Sequence, residues 1–400
     1  MKQIPITKPF FDHEEFALIT KPLETGWIVQ GPYVQEFEKA IGAFVGSRYA
    51  VALNSCTSGQ FIASRVIDLR PGDEVILPSY TWISTANSIE FLGAKPVFCD
   101  IDIRTYNIDV QQLEAKITGR TKAIYPVHLF GLAADMPAIM DIAGRYHLQV
   151  IEDCACGLGA RIAGRHCGLF GLGGILSFHP RKSITTGEGG MIVTDDERFA
   201  ALASSLRDHG AMKSDLARHR EKGAYLLTEY EHLGYNMRLT DIQGALGVAQ
   251  AKKIPWILNK KAELAKIYDS RLAAIPWLGM PETPPSFSHG YQAYCTLYKP
   301  DETREAIRKK DHEKIDQLNR ERNLLMARLE SDGIATRQGT HAVHIQKLYR
   351  EKYNIQPMDY PASYAADRLT VALPFFPSIT DEEIGYLFEN LKRQERFISA

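Results

Sequence analysis

The chain has 400 residues, is 45% hydrophobic and 24% charged, and carries a formal net charge of -1. That composition suits a globular protein with a sizeable core and argues against bulk attraction to nucleic acid or to an anionic membrane. No stretch approaches the roughly 18–20 uncharged apolar residues of a spanning helix, and the start lacks an apolar signal core, so a cytoplasmic protein is expected.

Seven short apolar runs occupy the first 200 residues: "YAVALNS" (49–55), "DEVILPS" (73–79), "KPVFCDID" (95–102), "KAIYPVHLF" (122–130), "LQVIEDCA" (148–155), "GGILSFHP" (173–180) and "GGMIVTDD" (189–196). Near-continuous Val and Ile runs mark strands covered on both faces. Segments between them, such as "SGQFIASRVIDL" and "MPAIMDIAGRYH", have helical spacing. The alternation predicts an α/β fold: a mostly parallel seven-stranded sheet flanked by helices, within a large domain over 1–250. Beyond it, "KIPWILNKKAELAKIYDSRLAAI" predicts a long amphipathic helix and "YQAYCTLYKP" a strand. The charged stretch 301–322 reads as a solvated loop leading into an exposed helix face. Thr380 and Asp381 predict the cap of a final helix. Residues 251–400 thus read as a smaller α+β domain.

Parallel sheets bind ligands at the carboxyl ends of their strands, and five such ends carry polar, small or aromatic residues. In "SFHPRKSITTGEGG" (177–190), Lys182 lies among residues that let a bulky group approach. A lysine made less basic by burial or by nearby positive charge forms Schiff bases; Arg181 is the adjacent candidate for that charge. A turn between two strands with an incidental lysine fits the spacing equally well. Asp153, in "VIEDCACG", ends a buried strand and requires a cation or strong donors. A protonated heterocyclic nitrogen is one such partner; backbone N–H groups of the next turn are another. Thr57 and Ser58, in "NSCTSGQF", stand where a helix start forms a phosphate cradle, although an ordinary N-cap needs only one hydroxyl. Trp82 follows a strand end and either faces a ring or belongs to the core.

The six cysteines are Cys56, Cys99, Cys154, Cys156, Cys167 and Cys295. Cys154 and Cys156 form a C-x-C without a second pair at zinc-site spacing, so no metal is expected. Neither G-x-G-x-x-G nor G-x-x-x-x-G-K-[ST] occurs. His341 and His344 form an H-x-x-H without the glutamate of a metalloprotease helix, and read as loop histidines near a substrate mouth.

These segments resemble the DegT/DnrJ/EryC1/StrS family of sugar aminotransferases. The resemblance runs from "TGWIVQGPYVQEFEKAIGAFVG" (25–46) to "LPFFPSITDEEI" (373–384). It is carried most specifically by "SFHPRKSITTGEGG", "GYNMRLTDIQGALGVAQ" and "GAKPVFCDID". It implies the type I fold of enzymes that use pyridoxal 5′-phosphate (PLP). By the same resemblance, Lys182 holds PLP covalently and shuttles a proton, and Asp153 keeps the pyridine nitrogen protonated. Thr57, Ser58 and Ser177 bind the phosphate, Trp82 stacks on the ring, and Asn236 reaches the phosphate of a neighbouring subunit in a homodimer. Cys156 stands where many relatives carry Gln or His near the ring; a thiol is a weaker donor. Related sugar 3-dehydratases carry histidine where this chain has Lys182, so transamination is favoured over dehydration.

The expected reaction moves an amino group from an amino acid, L-glutamate, to a nucleotide-linked 4-keto-6-deoxyhexose. Relatives also act on 3-keto sugars, cyclitol ketones and oxidised eight-carbon acid sugars. A non-catalytic protein that binds PLP or a nucleotide sugar is the rival of a different kind. Arg337 and, less strongly, His341, in "GIATRQGTHAVH" (333–344), are the candidate substrate residues, since an arginine pairs with phosphate or carboxylate; a loop arginine with structural bonds fits Arg337 equally well.

Overall fold

A computed structural model describes residues 3–211, 216 and 228–398. All seven apolar runs form strands of one sheet: β1 (Tyr49–Leu53), β2 (Glu74–Pro78), β3 (Lys95–Cys99), β4 (Thr121–Ile124), β5 (Gln149–Cys154), β6 (Gly173–Ser177) and β7 (Gly190–Thr194). Their order is β1-β7-β6-β5-β4-β2-β3. Strands β6, β5, β4, β2 and β3 are parallel. Strand β7 is antiparallel to both β6 and β1, so β1 runs with the parallel set. The carboxyl ends of six strands therefore share one edge, and β7 starts from that edge.

Successive strand residues pack on opposite faces. Val75, Leu77, Ile151 and Ile192 join one buried cluster; Ile76, Val150, Met191 and Val193 join another on the far side. Both faces are thus covered, which explains why the strands show little polar alternation. Helix α1 (Cys56–Val66) and helix α2 (Ser84–Glu90) follow β1 and β2. Ser55 caps α1 by accepting the Ser58 N–H at 3.1 Å.

A further core is built from α3 (Ile254–Leu272) and an antiparallel sheet of β8 (Leu278–Gly279), β9 (Tyr294–Tyr298) and β10 (Thr370–Leu373). Ile4 joins that core and pairs with Ile334. Along α3 the buried stripe reads Ile254, Ile257, Lys261, Leu264, Ala265, Tyr268 and Leu272, at helical spacing.

The stretch 301–322 departs from the expected loop. It is helical nearly throughout, as α4 (Pro300–Lys309) and α5 (His312–Ser331). Lys309 pairs with Glu305 at 2.9 Å, four residues apart on α4, a spacing that supports a helix, and Lys314 of α5 pairs with Glu302 of α4 at 2.7 Å, linking the two helices. Ile315, Leu318, Leu325 and Leu329 are buried, so one face of α5 is core. The high charge hid that apolar stripe. The final helix, α6 (Asp381–Ile398), starts as expected: the Thr380 hydroxyl accepts the Glu383 N–H at 3.2 Å, and Glu383 accepts the Thr380 N–H at 2.8 Å.

Adjacent acids on β5 face opposite sides. The Glu152 carboxylate, fully buried, accepts from His128 Nε2 (2.9 Å) and from the N–H groups of Gly168 (2.7 Å), Phe170 (2.7 Å) and Gly171 (2.8 Å). Burial alone would push its carboxyl up; these donors outweigh burial and hold it below the ordinary carboxylate value. Glu152→Ala strands several buried donors at once. It should lower the unfolding free energy by about 3–5 kcal/mol, measured by urea titration; a loss under about 1 kcal/mol would remove Glu152 as the anchor of the 168–171 loop.

Candidate active site

The strand ends bring an amine, a carboxylate and two thiols together. Lys182 Nζ lies 3.2 Å from Cys156 Sγ. Burial lowers the basicity of Lys182, but the adjacent Cys156 outweighs it and, with smaller contributions from Cys56 and Asp153, leaves Lys182 above its ordinary value. Cys56 is pushed well up, chiefly by burial and further by the Asp153 charge.

Asp153 is 4% exposed. Its Oδ2 accepts from Gln60 Nε2 at 2.6 Å and from Thr85 Oγ1 at 2.7 Å; its Oδ1 accepts the Ala155 N–H at 3.0 Å. Of the two partners proposed for this acid in the sequence, the turn N–H is present, and helices α1 and α2 add a neutral amide and a hydroxyl. Gln60 and Thr85 are residues that sequence reasoning missed. Gln60 sat in the quoted "NSCTSGQF" without a signal that it faces an acid.

Thr57 and Ser58 occupy the first turn of α1, half-buried. Ser58 Oγ donates to Asn54 Oδ1 at 2.6 Å and lies 2.9 Å from Ser55 Oγ. Ser177 ends β6 and pairs with Gly190, the first residue of β7. A Cβ at Gly190 would lie 2.4 Å from the Ser55 carbonyl, so only glycine lets β7 start against the α1 cap. Ser177 is thus the strand partner of the glycine that packs on the Ser55 backbone.

Arg181 is exposed, contrary to the suggestion that it supplies charge to Lys182. The nearby cation is Lys261, which the sequence reading passed over. It is 4% exposed, and its Nζ reaches Ser183 Oγ at 3.2 Å and the Gln292 carbonyl at 3.5 Å.

Trp82 is 56% exposed rather than core. Residues Tyr80–Thr81 pair antiparallel with His341–Ala342, which places the Trp82 and His341 rings 5.6 Å apart. His344 is not a loop histidine at a mouth. It is fully buried, with Nδ1 2.5 Å from Ser79 Oγ and Nε2 3.0 Å from the Pro357 carbonyl. His341, on the paired strand, is exposed, so the H-x-x-H spacing does not bring the two histidines to one site. Arg337 is exposed, and its backbone pairs with Ala372. Asn236 is exposed and pairs through its backbone with Asp208.

The two members of the C-x-C also diverge. Cys154 points away from Cys156, and the donor atoms of His128, Cys154 and Cys167 lie within 4.8 Å of one another. Sequence spacing alone concealed this cluster. Both His128 nitrogens are engaged: Nδ1 accepts the Ala134 N–H at 3.0 Å and Nε2 bonds Glu152. The imidazole therefore has no free lone pair for a metal.

The model of the DegT/DnrJ/EryC1/StrS aminotransferase family matches residues 9–392. The chain is 36% identical over 389 residues to the spore coat polysaccharide biosynthesis protein SpsC of Bacillus subtilis, covering 97% of this chain and 96% of that protein. Among solved structures, protein Spr1654 from Streptococcus pneumoniae, in its PMP form, matches with a TM-score of 0.89 at 26% identity, over 99% of this chain and 100% of that one. Helicobacter pylori PseC, an aminotransferase involved in the biosynthesis of pseudoaminic acid, matches with a TM-score of 0.87 at 25% identity, over 98% and 99%. The architecture is the type I fold of PLP-dependent aminotransferases.

The His344 contacts carry a pH prediction. Burial lowers this imidazole from 6.5 to about 4, so between those values the unfolded chain binds the extra proton. Its contribution to stability is complete above pH 6.5 and is lost as pH falls towards about 4. Between pH 7 and pH 4, His344→Asn should lose about 3 kcal/mol less unfolding free energy than the unaltered protein. Equal losses in urea titrations would show that His344 does not anchor the segment that carries His341.

Proposed function

The chain belongs to the DegT/DnrJ/EryC1/StrS aminotransferase family, and on that premise we propose that it transfers the amino group of L-glutamate to the ketone of a nucleotide-linked 4-keto-6-deoxyhexose, with PLP held on Lys182. The observation that carries this reading is that Lys182 Nζ lies 3.2 Å from Cys156 Sγ, three residues beyond the buried Asp153 carboxylate that Gln60 and Thr85 hold.

The residues present fit PLP by the chemistry of their donors. An amine suits an aldehyde, a buried carboxylate suits a pyridinium, and clustered hydroxyls at a helix start suit a phosphate. Bound PLP would supply an electron sink for the charge that develops at the reacting carbon. Asp153, oriented by Gln60 and Thr85, keeps a proton on the pyridine nitrogen. Ser58 and Ser177, with Thr57 and the N–H groups of α1, hold the phosphate. Trp82 presents its exposed face to the ring. Lys182 Nζ removes a proton from the donor carbon and delivers one to the sugar carbon, and Cys156 holds that amine when no cofactor occupies it.

Arg337, exposed beside the His341 segment, supplies charge for the nucleotide phosphates, with His341 next to Trp82 at the sugar. Asn236 is exposed, as needed to reach the phosphate of a second copy in a homodimer. The likeness to a spore coat polysaccharide biosynthesis protein supports a product destined for a surface polysaccharide.

Loaded with PLP, the protein should absorb at about 410–430 nm, and glutamate should move that band to about 330 nm. Lys182→Ala should lack the starting band. Incubation with glutamate and the keto sugar should yield amino sugar and 2-oxoglutarate in equal amounts by mass spectrometry. A deoxy sugar would indicate dehydration, and the absence of any band after PLP addition would overturn the proposal.

A further inference from the structure

The proposed transfer gives the Cys156 thiol no chemical step, yet its sulfur meets the Lys182 amine at 3.2 Å. That lies within the roughly 3–3.5 Å separation of atoms poised to react. Both residues are held by their backbones. Asp153 Oδ1 accepts the Ala155 N–H at 3.0 Å, and the Cys154 carbonyl accepts the Gly157 N–H at 2.8 Å, which fixes the turn on either side of Cys156. The Lys182 N–H donates to the His179 carbonyl at 2.8 Å, and Gln292 Nε2 donates to the Arg181 carbonyl at 2.8 Å. Cys99, Cys154, Cys167 and Cys295 are buried, whereas Cys156 is half-buried, as is Lys182. A small oxidant entering the cleft therefore reaches this sulfur with the amine already beside it.

We propose that Cys156 and Lys182 form a reversible oxidative cross-linking site: hydrogen peroxide oxidises the thiol, and Lys182 Nζ then closes a sulfur–nitrogen bond on it. In the first step the sulfur gives two electrons to peroxide and gains one oxygen as a sulfenic acid; the O–O bond breaks and one water leaves. In the second, the Nζ lone pair attacks sulfur, the S–O bond breaks, and the departing hydroxide takes a proton from nitrogen and leaves as a second water. The product has lost two hydrogens relative to the thiol and amine. A thiol reductant reverses it: one thiol attacks the sulfur and frees the amine, and a second regenerates Cys156 as a disulfide of the reductant leaves. In the reduced protein Cys156 helps to keep the proton on Lys182; a neutral sulfenic acid removes that charge, which frees the lone pair for the attack. Cys56 is the other half-buried thiol. Burial pushes it well up, which keeps it protonated and slow to attack. The consequence for the cofactor rests on reading Lys182 as its anchor: the link closes unliganded protein to PLP until a reductant returns, and protein whose Lys182 is engaged is spared.

The test treats the full chain without cofactor with hydrogen peroxide at about pH 8, where an ordinary thiol is partly ionised, and digests it without reductant. Mass spectrometry should find the Cys156 and Lys182 peptides joined, about 2 Da below their sum, and dithiothreitol should separate them. Lys182→Ala should instead accumulate the sulfenic acid, with several-fold more dimedone adduct at Cys156 than the unaltered protein. Cys156→Ser should give no link and should load PLP to the same extent before and after peroxide. Oxidised Cys156 without a bond to Lys182, a Cys56–Cys156 disulfide, or equal dimedone labelling with and without the Lys182 amine would overturn the proposal. Loading with PLP beforehand should suppress the link. A link that forms equally in loaded protein would count against Lys182 as the anchor and not against the cross-link, which the unliganded protein tests alone.

Discussion

A carboxylate at the end of a buried strand is the constraint around which the rest of this cleft is arranged. Asp153 closes β5 near the middle of the sheet, where water cannot solvate it. It stays in place because α1 delivers Gln60, α2 delivers Thr85, and the following turn delivers an N–H. Each donor comes from a different element, so the two helices after β1 and β2 must dock in one register against β5. The start of α1 then packs against the start of β7, because Gly190, the strand partner of Ser177, lets β7 approach the Ser55 carbonyl.

The pleat of β5 doubles the use of this strand. Glu152 turns to the other face and binds the N–H groups of the 168–171 loop. Cys154 follows it, while Cys156, beyond the strand end, meets Lys182. One run of five residues thus supplies a structural acid, the acid proposed to meet the cofactor, and the thiol beside Lys182 Nζ. Alternation over a sheet covered on both faces makes that division unavoidable.

Much of the architecture was legible in the sequence. The seven Val- and Ile-rich runs became the seven strands, because buried parallel strands have few residues that mislead. Their carboxyl ends supplied the cleft. The stretch 301–322 misled because charge density was read as solvation, although Ile315 and Leu318 already stood at helical spacing. His344 misled because a short motif suggested a shared role for two residues that the turn separates. Gln60 and Thr85 carried no local signal, since their function depends on packing two helices against a third element. Lys261 did carry one: a lone lysine in the apolar stripe of α3. The eye passes over it because Lys260 beside it is exposed and ordinary.

The account depends on Asp153 meeting the cofactor as a charged carboxylate. The direct measurement is the 15N NMR shift of the pyridine nitrogen in protein loaded with 15N-labelled PLP near neutral pH. A protonated shift is predicted, since a buried carboxylate held by Gln60 and Thr85 favours a positive partner. An unprotonated shift would contradict the account, because Asp153 would then not be acting on the ring.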